Sequence, residues 1–173
     1  METLSGAVCS RRYRGWMNSH LAQLNVARWA VDPTSPTAAD FFANLDRINA
    51  LADGSPGFVW RLQTEDGDAT GIRAFDDPLI LVNLSTWEDV ASLKDYAYRS
   101  GHVEIMRRRQ EWFEKMDEPH TVLWWVPAGH EPTVCEAEDR LRQLRADGPT
   151  PEAFDFRTTY PAPDQAISSP GEP

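Results

Sequence analysis

Apolar and polar residues alternate along residues 20–29, the first stretch of the chain with a clear pattern. Such alternation predicts a β-strand whose successive side chains point to opposite faces of a sheet. One face carries only apolar residues, Ala22, Leu24 and Val26, whereas the other carries the amides Gln23 and Asn25. Amides in the middle of a strand either face solvent, which is the commoner case, or line a wet pocket.

Further segments have the composition and length of strands. Residues 58–63, 79–84 and 120–126 are predicted as strands, and the strongly apolar segment 79–84 is expected to be central in its sheet. Residues 69–75 and 153–159 have weaker patterns, which we interpret as a returning strand and a last edge strand.

Helical patterns separate these strands. A first helix is expected to end near residue 52 and to bury an apolar stripe of Phe41, Leu45, Ile48 and Ala52. The sequence Ser-Thr-Trp-Glu at residues 85–88 has the form of a capping box, which predicts that a helix starts there. A second capping box, at residues 133–136, predicts a helix that ends near residue 148.

A long helical pattern covers residues 98–114, and a kink is predicted near its start, at residues 99–101. One face of this central helix follows the helical repeat and consists of Tyr98, His102, Ile105, Arg109 and Phe113. Met106 and Trp112 lie beside that face. It is therefore apolar apart from one imidazole and one guanidinium, and this helix is the best candidate for carrying chemistry.

Two interpretations of His102 stay open at this point. It is either a core histidine whose ring nitrogens are satisfied by backbone or water, the commoner situation, or a pocket histidine that acts as acid, base or ligand. Arg109 favours the second interpretation, because an inward guanidinium needs an anionic or carbonyl partner and the same face offers no Asp or Glu.

The order of strands and helices is that of the split βαβ, ferredoxin-like fold, an α+β class with an antiparallel sheet. We expect a domain over residues 19–160, a flexible extension at residues 1–18 and a disordered tail at residues 161–173. Helices on one side of a four-stranded sheet would leave its other side bare. Pairing two such sheets covers both, so a homodimer is expected.

Composition excludes several classes of protein. The 173-residue chain suits one domain and is 41% hydrophobic, enough for a packed core. Its net charge of −10 argues against a nucleic-acid partner, since binding phosphates needs a basic surface. Its two cysteines fit neither a disulfide framework nor a zinc site, and no apolar run is long enough to span a membrane. We expect a cytoplasmic protein with no metal site and no membrane association.

Five segments of the chain are similar to a bacterial family of unknown function, DUF3291: HLAQLNVAR, PGFVWRLQ, LVNLSTWE, RSGHVEIMRRRQEWF and VLWWVPAGHEP. The resemblance covers about residues 19–160. It implies the dimeric α/β-barrel superfamily, which includes the antibiotic-biosynthesis monooxygenases and the haem-degrading monooxygenases. A family name of this kind assigns no activity, so function has to come from the site.

The resemblance also implies three candidate residues. Haem-degrading members of the superfamily use an Asn on the first strand, a Trp near the start of the helix after the third strand and a His further along. Asn25, Trp87 and His102 occupy similar sequence contexts here. The Ser-Gly-His spacing is shorter than in those proteins, and the helix continues through residues 107–113.

The predicted site therefore has two groups of residues. His102, Asn25 and Arg109 are the candidate catalytic residues. The candidate substrate-binding residues are Trp87, Asn83, Trp124, Trp125, Tyr98 and Met106. Trp124 and Trp125 fall on opposite faces of their strand, so one is expected in the core and the other at a cavity or a dimer interface. His120 is interpreted as structural and His130 as a loop residue at the surface.

Three functions are compatible with these residues. The first is a cofactor-independent enzyme that acts on a hydrophobic, aromatic or polyketide-like small molecule. Its reaction would be that of a monooxygenase, or of a cyclase or isomerase that uses acid–base chemistry, in natural-product biosynthesis. The second is a haem-binding or haem-degrading protein with His102 as axial ligand. The third is a noncatalytic dimer that binds a small ligand.

Overall fold

The structure, a computed structural model, describes residues 18–64, 69–71 and 75–166. The helices and strands follow one another as β1 (Ser19–Arg28), α1 (Pro36–Asp53), β2 (Phe58–Arg61), β3 (Ile80–Trp87), α2 (Val90–Arg99), α3 (His102–Arg108), a 3₁₀ turn (Arg109–Glu111), β4 (Thr121–Pro127), α4 (Val134–Asp147) and α5 (Pro163–Ala166). None of the described helices has the length and apolar composition needed to cross a bilayer.

The four strands form one antiparallel sheet in the order β2-β3-β1-β4. This arrangement confirms the α+β, ferredoxin-like class. In the register of β1 with β3, Gln23 lies opposite Ser85 and Asn25 lies opposite Asn83. Since side chains alternate between faces with a period of two, this register places all four polar side chains on one face of the sheet.

The opposite face of the sheet is apolar and packs against α4. Leu24, Val122 and Trp124 on the strands meet Leu141 and Leu144 on the helix, and all five side chains are at most 3% exposed. The amphipathic pattern of α4 predicted this helix correctly. Thr133 caps it by accepting a hydrogen bond from the backbone N–H of Glu136 at 3.1 Å, as expected for a capping box.

Helices α1, α2 and α3 cover the polar face of the sheet only in part. At one end, an aromatic cluster packs α1 against the segment that follows α3, and it contains Trp29, Phe41, Trp112 and Phe113. At the other end, Leu93 of α2 packs against Leu21 and Trp87. The middle of the face, where the amides lie, is left open between these two clusters.

The start of α2 is held close to the loop before β2. Gly57 has a φ of 76°, and a Cβ atom built there would lie 2.3 Å from Oγ of Ser92. A glycine is required at this position both for its backbone conformation and for the close approach of the helix. The contact fixes how α2 lies over the sheet.

The helix after β3 was predicted to start at residues 85–88, and this start is wrong. These residues extend β3 to Trp87, and the helix begins after Asp89, whose carboxylate accepts a hydrogen bond from the N–H of Ser92 at 2.8 Å. The strand continues because Ser85 and Thr86 pair with β1 on one side and with β2 on the other. Two rows of backbone hydrogen bonds outweigh a local capping signal.

The single central helix predicted over residues 98–114 is also wrong. The kink expected at residues 99–101 is a break, because Ser100 has an extended conformation and α2 ends at Arg99. The Ser100 hydroxyl donates to the carbonyl of Tyr96 and accepts from the N–H of His102, which replaces helical backbone bonds. Tyr98 therefore belongs to α2, and Arg109 begins a 3₁₀ turn beyond α3.

The predicted returning strand at residues 69–75 is described only in part, since residues 72–74 lie outside the described residues, and residues 69–71 form a bend and a turn. The last edge strand is reduced to an isolated bridge between Phe154 and Leu123. Part of the predicted disordered tail is ordered, since Ala162 is 2% exposed and α5 follows it. The extension at residues 1–18 lies outside the described residues except for Asn18.

The fold corrects the expectation that one face of the sheet is bare, on which the predicted homodimer was based. The sheet face expected to be bare is covered by α4 of the same chain, so it does not need a second sheet. The homodimer stays a prediction, and light scattering at micromolar protein concentration measures it directly.

We predict that Leu141→Ala lowers the free energy of unfolding by about 2–5 kcal/mol, the usual cost of truncating a buried leucine. Leu141 is 1% exposed against the sheet. Arg142→Ala is the matched control on the same helix, and its exposed ion pair with Asp139 predicts a loss below about 1 kcal/mol. Urea denaturation of both variants measures the difference, and equal losses would show that α4 does not pack on the sheet.

Candidate functional site

A cavity of about 230 Å³ lies between the polar face of the sheet and helices α1, α2 and α3. A smaller cavity of about 100 Å³ adjoins it and shares several lining residues. Asn25, Trp87, His102 and Arg109 all line the larger cavity. Asn83, Tyr98 and Met106 line it as well.

Trp124 and Trp125, the two other predicted binding residues, do not line the cavity. They lie on opposite faces of β4, as predicted. The indole N–H of Trp124 donates to Oε1 of Glu136 at 2.9 Å on the α4 side of the sheet. The indole N–H of Trp125 donates to the carbonyl of Tyr160 at 2.9 Å. Both tryptophans therefore hold C-terminal segments against the sheet.

A chain of hydrogen bonds fixes one end of the cavity floor. The indole N–H of Trp87 donates to Oγ of Ser85 at 3.0 Å, and the Ser85 hydroxyl donates to Oε1 of Gln23 at 2.9 Å. All three side chains are buried. Since the Gln23 oxygen is occupied, its amide N–H₂ is the group left to donate to a ligand.

The neighbouring amide has the opposite polarity. Nδ2 of Asn25 donates to Oγ1 of Thr121 at 2.7 Å and lies 3.4 Å from the carbonyl of His120, so its Oδ1 is left as an acceptor. Asn83, directly across from Asn25, is exposed although it lies in a central strand. Its side chain has no hydrogen-bond partner within the described part of the chain. Polar side chains in mid-strand are thus presented to the cavity.

Stacked aromatic rings form one wall of the cavity. The ring of Tyr96 stacks on Trp87 with centroids 5.0 Å apart, and the ring of His102 packs on Tyr96 at 4.8 Å. Phe58 meets Trp87 edge-on at 5.3 Å. Burial raises the pKa of the Tyr96 phenol well above its ordinary range, so this ring stays neutral. Such a wall suits a planar apolar or aromatic ligand.

His102 is suited to accept a proton. Its Nδ1 lies 3.4 Å from the carbonyl oxygen of Ala97, which can only accept, so Nδ1 carries the hydrogen and Nε2 carries the lone pair. Nε2 has no partner among the described residues. Burial lowers the pKa of His102 below its ordinary value of about 6.5. The neutral imidazole therefore predominates at neutral pH.

The lining of the larger cavity is electropositive in an acidic protein. It contains Arg61 and Arg109, whereas no Asp or Glu belongs to the lining within the described residues. Arg61 is bound by Asp53 at 2.7 Å. Arg109 makes no ion pair with the described residues. It therefore remains available to an anionic or strongly polar oxygen of a ligand.

The lining residues that were missed or misread from the sequence include Asn49, Ser85, Tyr96 and His120. Ser85 was taken for a capping residue, and His120 was interpreted as structural. Burial lowers the pKa of His120, which lines the same cavity as Arg109. Asn49 interrupts the apolar side of α1 and Tyr96 follows Leu93 by one helical turn, and both signals are visible in the sequence.

His130 lies outside this cavity. Its Nε2 is 2.8 Å from Oε2 of Glu136, the residue that also binds Trp124. Among the described residues, no three His, Cys, Asp or Glu side chains come together in a way that could hold a metal ion.

The profile of a protein family described as "Domain of unknown function (DUF3291)" matches residues 20–169 of this chain. No curated protein matches the chain.

Three solved structures are similar at low identity. SnoaB, a cofactor-independent oxygenase from Streptomyces nogalater, is 16% identical, with 65% of this chain and 96% of that chain covered and a TM-score of 0.41. PA3566 from Pseudomonas aeruginosa is 13% identical, with 67% and 100% covered and a TM-score of 0.43. A Nitrosomonas europaea protein provisionally assigned as an antibiotic biosynthesis monooxygenase is 13% identical, with 70% and 100% covered and a TM-score of 0.44. No residue role follows from them.

We predict that His102 makes folding stability depend on pH. Because its pKa is lower in the folded chain than the unfolded value of about 6.5, the unfolded chain binds the proton more readily. This contribution to stability is complete above pH ~6.5 and is lost as pH falls through the folded pKa. His102→Gln should therefore lose less stability than the wild type in urea melts between pH 7.5 and 5.5. Identical pH dependence of the two proteins would contradict the lowered pKa.

Proposed function

The chain belongs to the DUF3291 family, whose description assigns no activity, and we propose from the site that the protein is an enzyme that moves a proton on a small aromatic molecule. One observation carries the proposal. Two residues line the same cavity: a neutral histidine whose Nε2 has no partner among the described residues, and an arginine that makes no ion pair with them. The first can remove a proton, and the second can stabilise the negative charge that results.

The proposed reaction begins at an acidic C–H or O–H of the substrate. Nε2 of His102 takes the proton, and the electron pair stays on the substrate as an enolate or phenolate. The developing oxyanion is stabilised by the guanidinium of Arg109 and by the amide N–H₂ of Gln23. Oδ1 of Asn25 accepts a hydrogen bond from a substrate hydroxyl and so orients the ring. His102 then returns the proton or passes it to water.

Three outcomes can follow from the same carbanion. Protonation at another atom gives an isomer, and attack on a carbonyl within the molecule closes a ring. Reaction with O₂ converts a CH₂ group into C=O and releases water, a balance that needs no external reductant. All three outcomes use protein side chains and, for the last, O₂ as co-substrate, so a resident cofactor is not part of the proposal.

The lining also limits the substrate. The rings of Phe58, Trp87 and Tyr96 favour an aromatic part, and the guanidinium of Arg109 favours an ionisable oxygen on it. A cavity of about 150 Å³ holds benzene, so about 230 Å³ encloses one ring with its substituents or a compact bicyclic system. A larger polyketide would enter with one end only.

The haem alternative is not supported by this cavity. Sites for drug-sized ligands span roughly 300–1,000 Å³, and a haem is larger than such a ligand. The cavity of about 230 Å³, even together with the adjoining one of about 100 Å³, is only as large as the smallest of those sites. No step of the proposed reaction uses haem.

We predict that the protein accelerates exchange of the acidic C–H of 2-tetralone or benzoylacetone for deuterium in D₂O. His102→Ala should lower this rate by about 10²-fold or more, the usual scale for a general base, and Arg109→Gln should lower it as well. Mass spectrometry follows the exchange, and an oxygen electrode in parallel separates an oxygenase from an isomerase.

Arg107→Gln serves as the matched control, since Arg107 is exposed two residues away and does not line the cavity. The melting temperature of each variant confirms that it is folded. Exchange no faster than in buffer, or equal in the wild type and a folded His102→Ala, would favour the remaining alternative, a noncatalytic ligand-binding protein.

A further inference from the structure

The smaller cavity differs in chemistry from the larger one beside it. Apart from the residues that the two share, its lining is apolar except for Asn44, and consists of Ala27, Phe41, Leu45, Ile48, Leu81, Ile105 and Phe113. We call it the side chamber. These apolar residues come from β1, α1, β3, α3 and the segment after it, so the chamber lies between packed elements. An apolar chamber of this kind favours a hydrocarbon group over water.

Polar groups mark the boundary between the two cavities. Asn25, Asn83 and Arg109 line both of them, and His102 does so as well. A ligand that fills both cavities therefore has its polar oxygen between two apolar parts. One part faces the aromatic wall, and the other enters the side chamber.

The volumes of the two cavities indicate which part of a ligand each of them accommodates. The larger cavity, about 230 Å³, accommodates an aromatic ring, whereas the side chamber, about 100 Å³, is smaller than the cavity of ~150 Å³ that binds benzene. By the ~30 Å³ that each water takes in the liquid, the side chamber holds about three non-hydrogen atoms. That is the size of a short alkyl chain.

We propose that the substrate class is an aryl alkyl ketone or the enol form of one, with a short alkyl chain seated in the side chamber. In such a molecule the oxygen lies between the ring and the chain, which matches the order aromatic wall, polar boundary, apolar chamber. The inference rests on the proposed function for the identity of the site, but it concerns binding and not turnover.

The test measures affinity for a series of probes that differ only in the chain: 2,4-dihydroxyacetophenone and the corresponding propionyl, butyryl, pentanoyl and hexanoyl compounds. Isothermal titration calorimetry with the wild type should show affinity rising by about fourfold for each CH₂ that enters the chamber. The gain should stop once the chamber is full, near the butyryl or pentanoyl compound. Affinity that does not change with chain length would overturn the proposal.

Two variants locate the effect. Leu45→Phe fills the side chamber and should abolish the gain from added CH₂ groups. Ala43→Phe, on the exposed side of the same helix, is the matched control and should retain the gain. Retention of the gain in Leu45→Phe would show that the chain binds elsewhere. If Leu45→Phe does not fold, Ile105→Ala enlarges the chamber and should move the best chain length upward, and an unchanged optimum would refute the assignment.

The same titrations on His102→Ala separate this inference from the proposed function. If the gain with chain length persists and the variant also keeps its exchange activity, the side chamber is supported and the catalytic role of His102 is refuted. If the variant loses exchange activity but the wild type shows no gain, the opposite holds.

Discussion

The hydrogen-bonded register of β1 against its two neighbours determines what each face of the sheet can do. With Gln23 opposite Ser85 and Asn25 between Asn83 and Thr121, one face collects the amides and the other is mainly apolar. A slip of one residue would bury the amides under α4 and expose the core leucines and valines. The apolar face packed on α4 therefore holds the polar face in its place, although the two are on opposite sides of the sheet.

Burying polar groups is costly unless they are hydrogen-bonded, and the cavity floor meets that cost without using up its chemistry. The hydrogen bonds from Trp87 to Ser85 and from Ser85 to Gln23 satisfy the indole N–H, the hydroxyl and the Gln23 oxygen. They leave the Gln23 N–H₂ as a donor. Asn25 is held at its nitrogen and offers its oxygen. Fixed partners on the far side of each amide give the floor a defined pattern of donor and acceptor, which a mobile amide on the surface could not maintain.

The break between α2 and α3 orients His102. Ser100 takes over hydrogen bonds that a continuous helix would make, and the ring of His102 then packs on Tyr96 with its Nδ1 toward the carbonyl of Ala97. Burial at this position keeps the imidazole neutral. Arg109, placed beyond the end of α3, lines the same cavity and makes no ion pair with a described carboxylate. A base and a cation thus stand in one cavity of a protein whose net charge is −10.

Local pattern determined much of this protein. The alternation in β1 predicted two different faces and singled out Asn25. The helical repeat placed His102 and Arg109 on one predicted face, because side chains three or four residues apart share a face.

Tertiary structure decided the rest. Whether the face with Asn25 meets α1, α2 and α3 depends on contacts between residues far apart in the chain, which periodicity does not contain. Ser85 carries a local capping signal, yet two neighbouring strands keep it in β3. Trp124 and Trp125 have the composition of a binding site, but α4 and the C-terminal segment reach them first and turn them into packing residues.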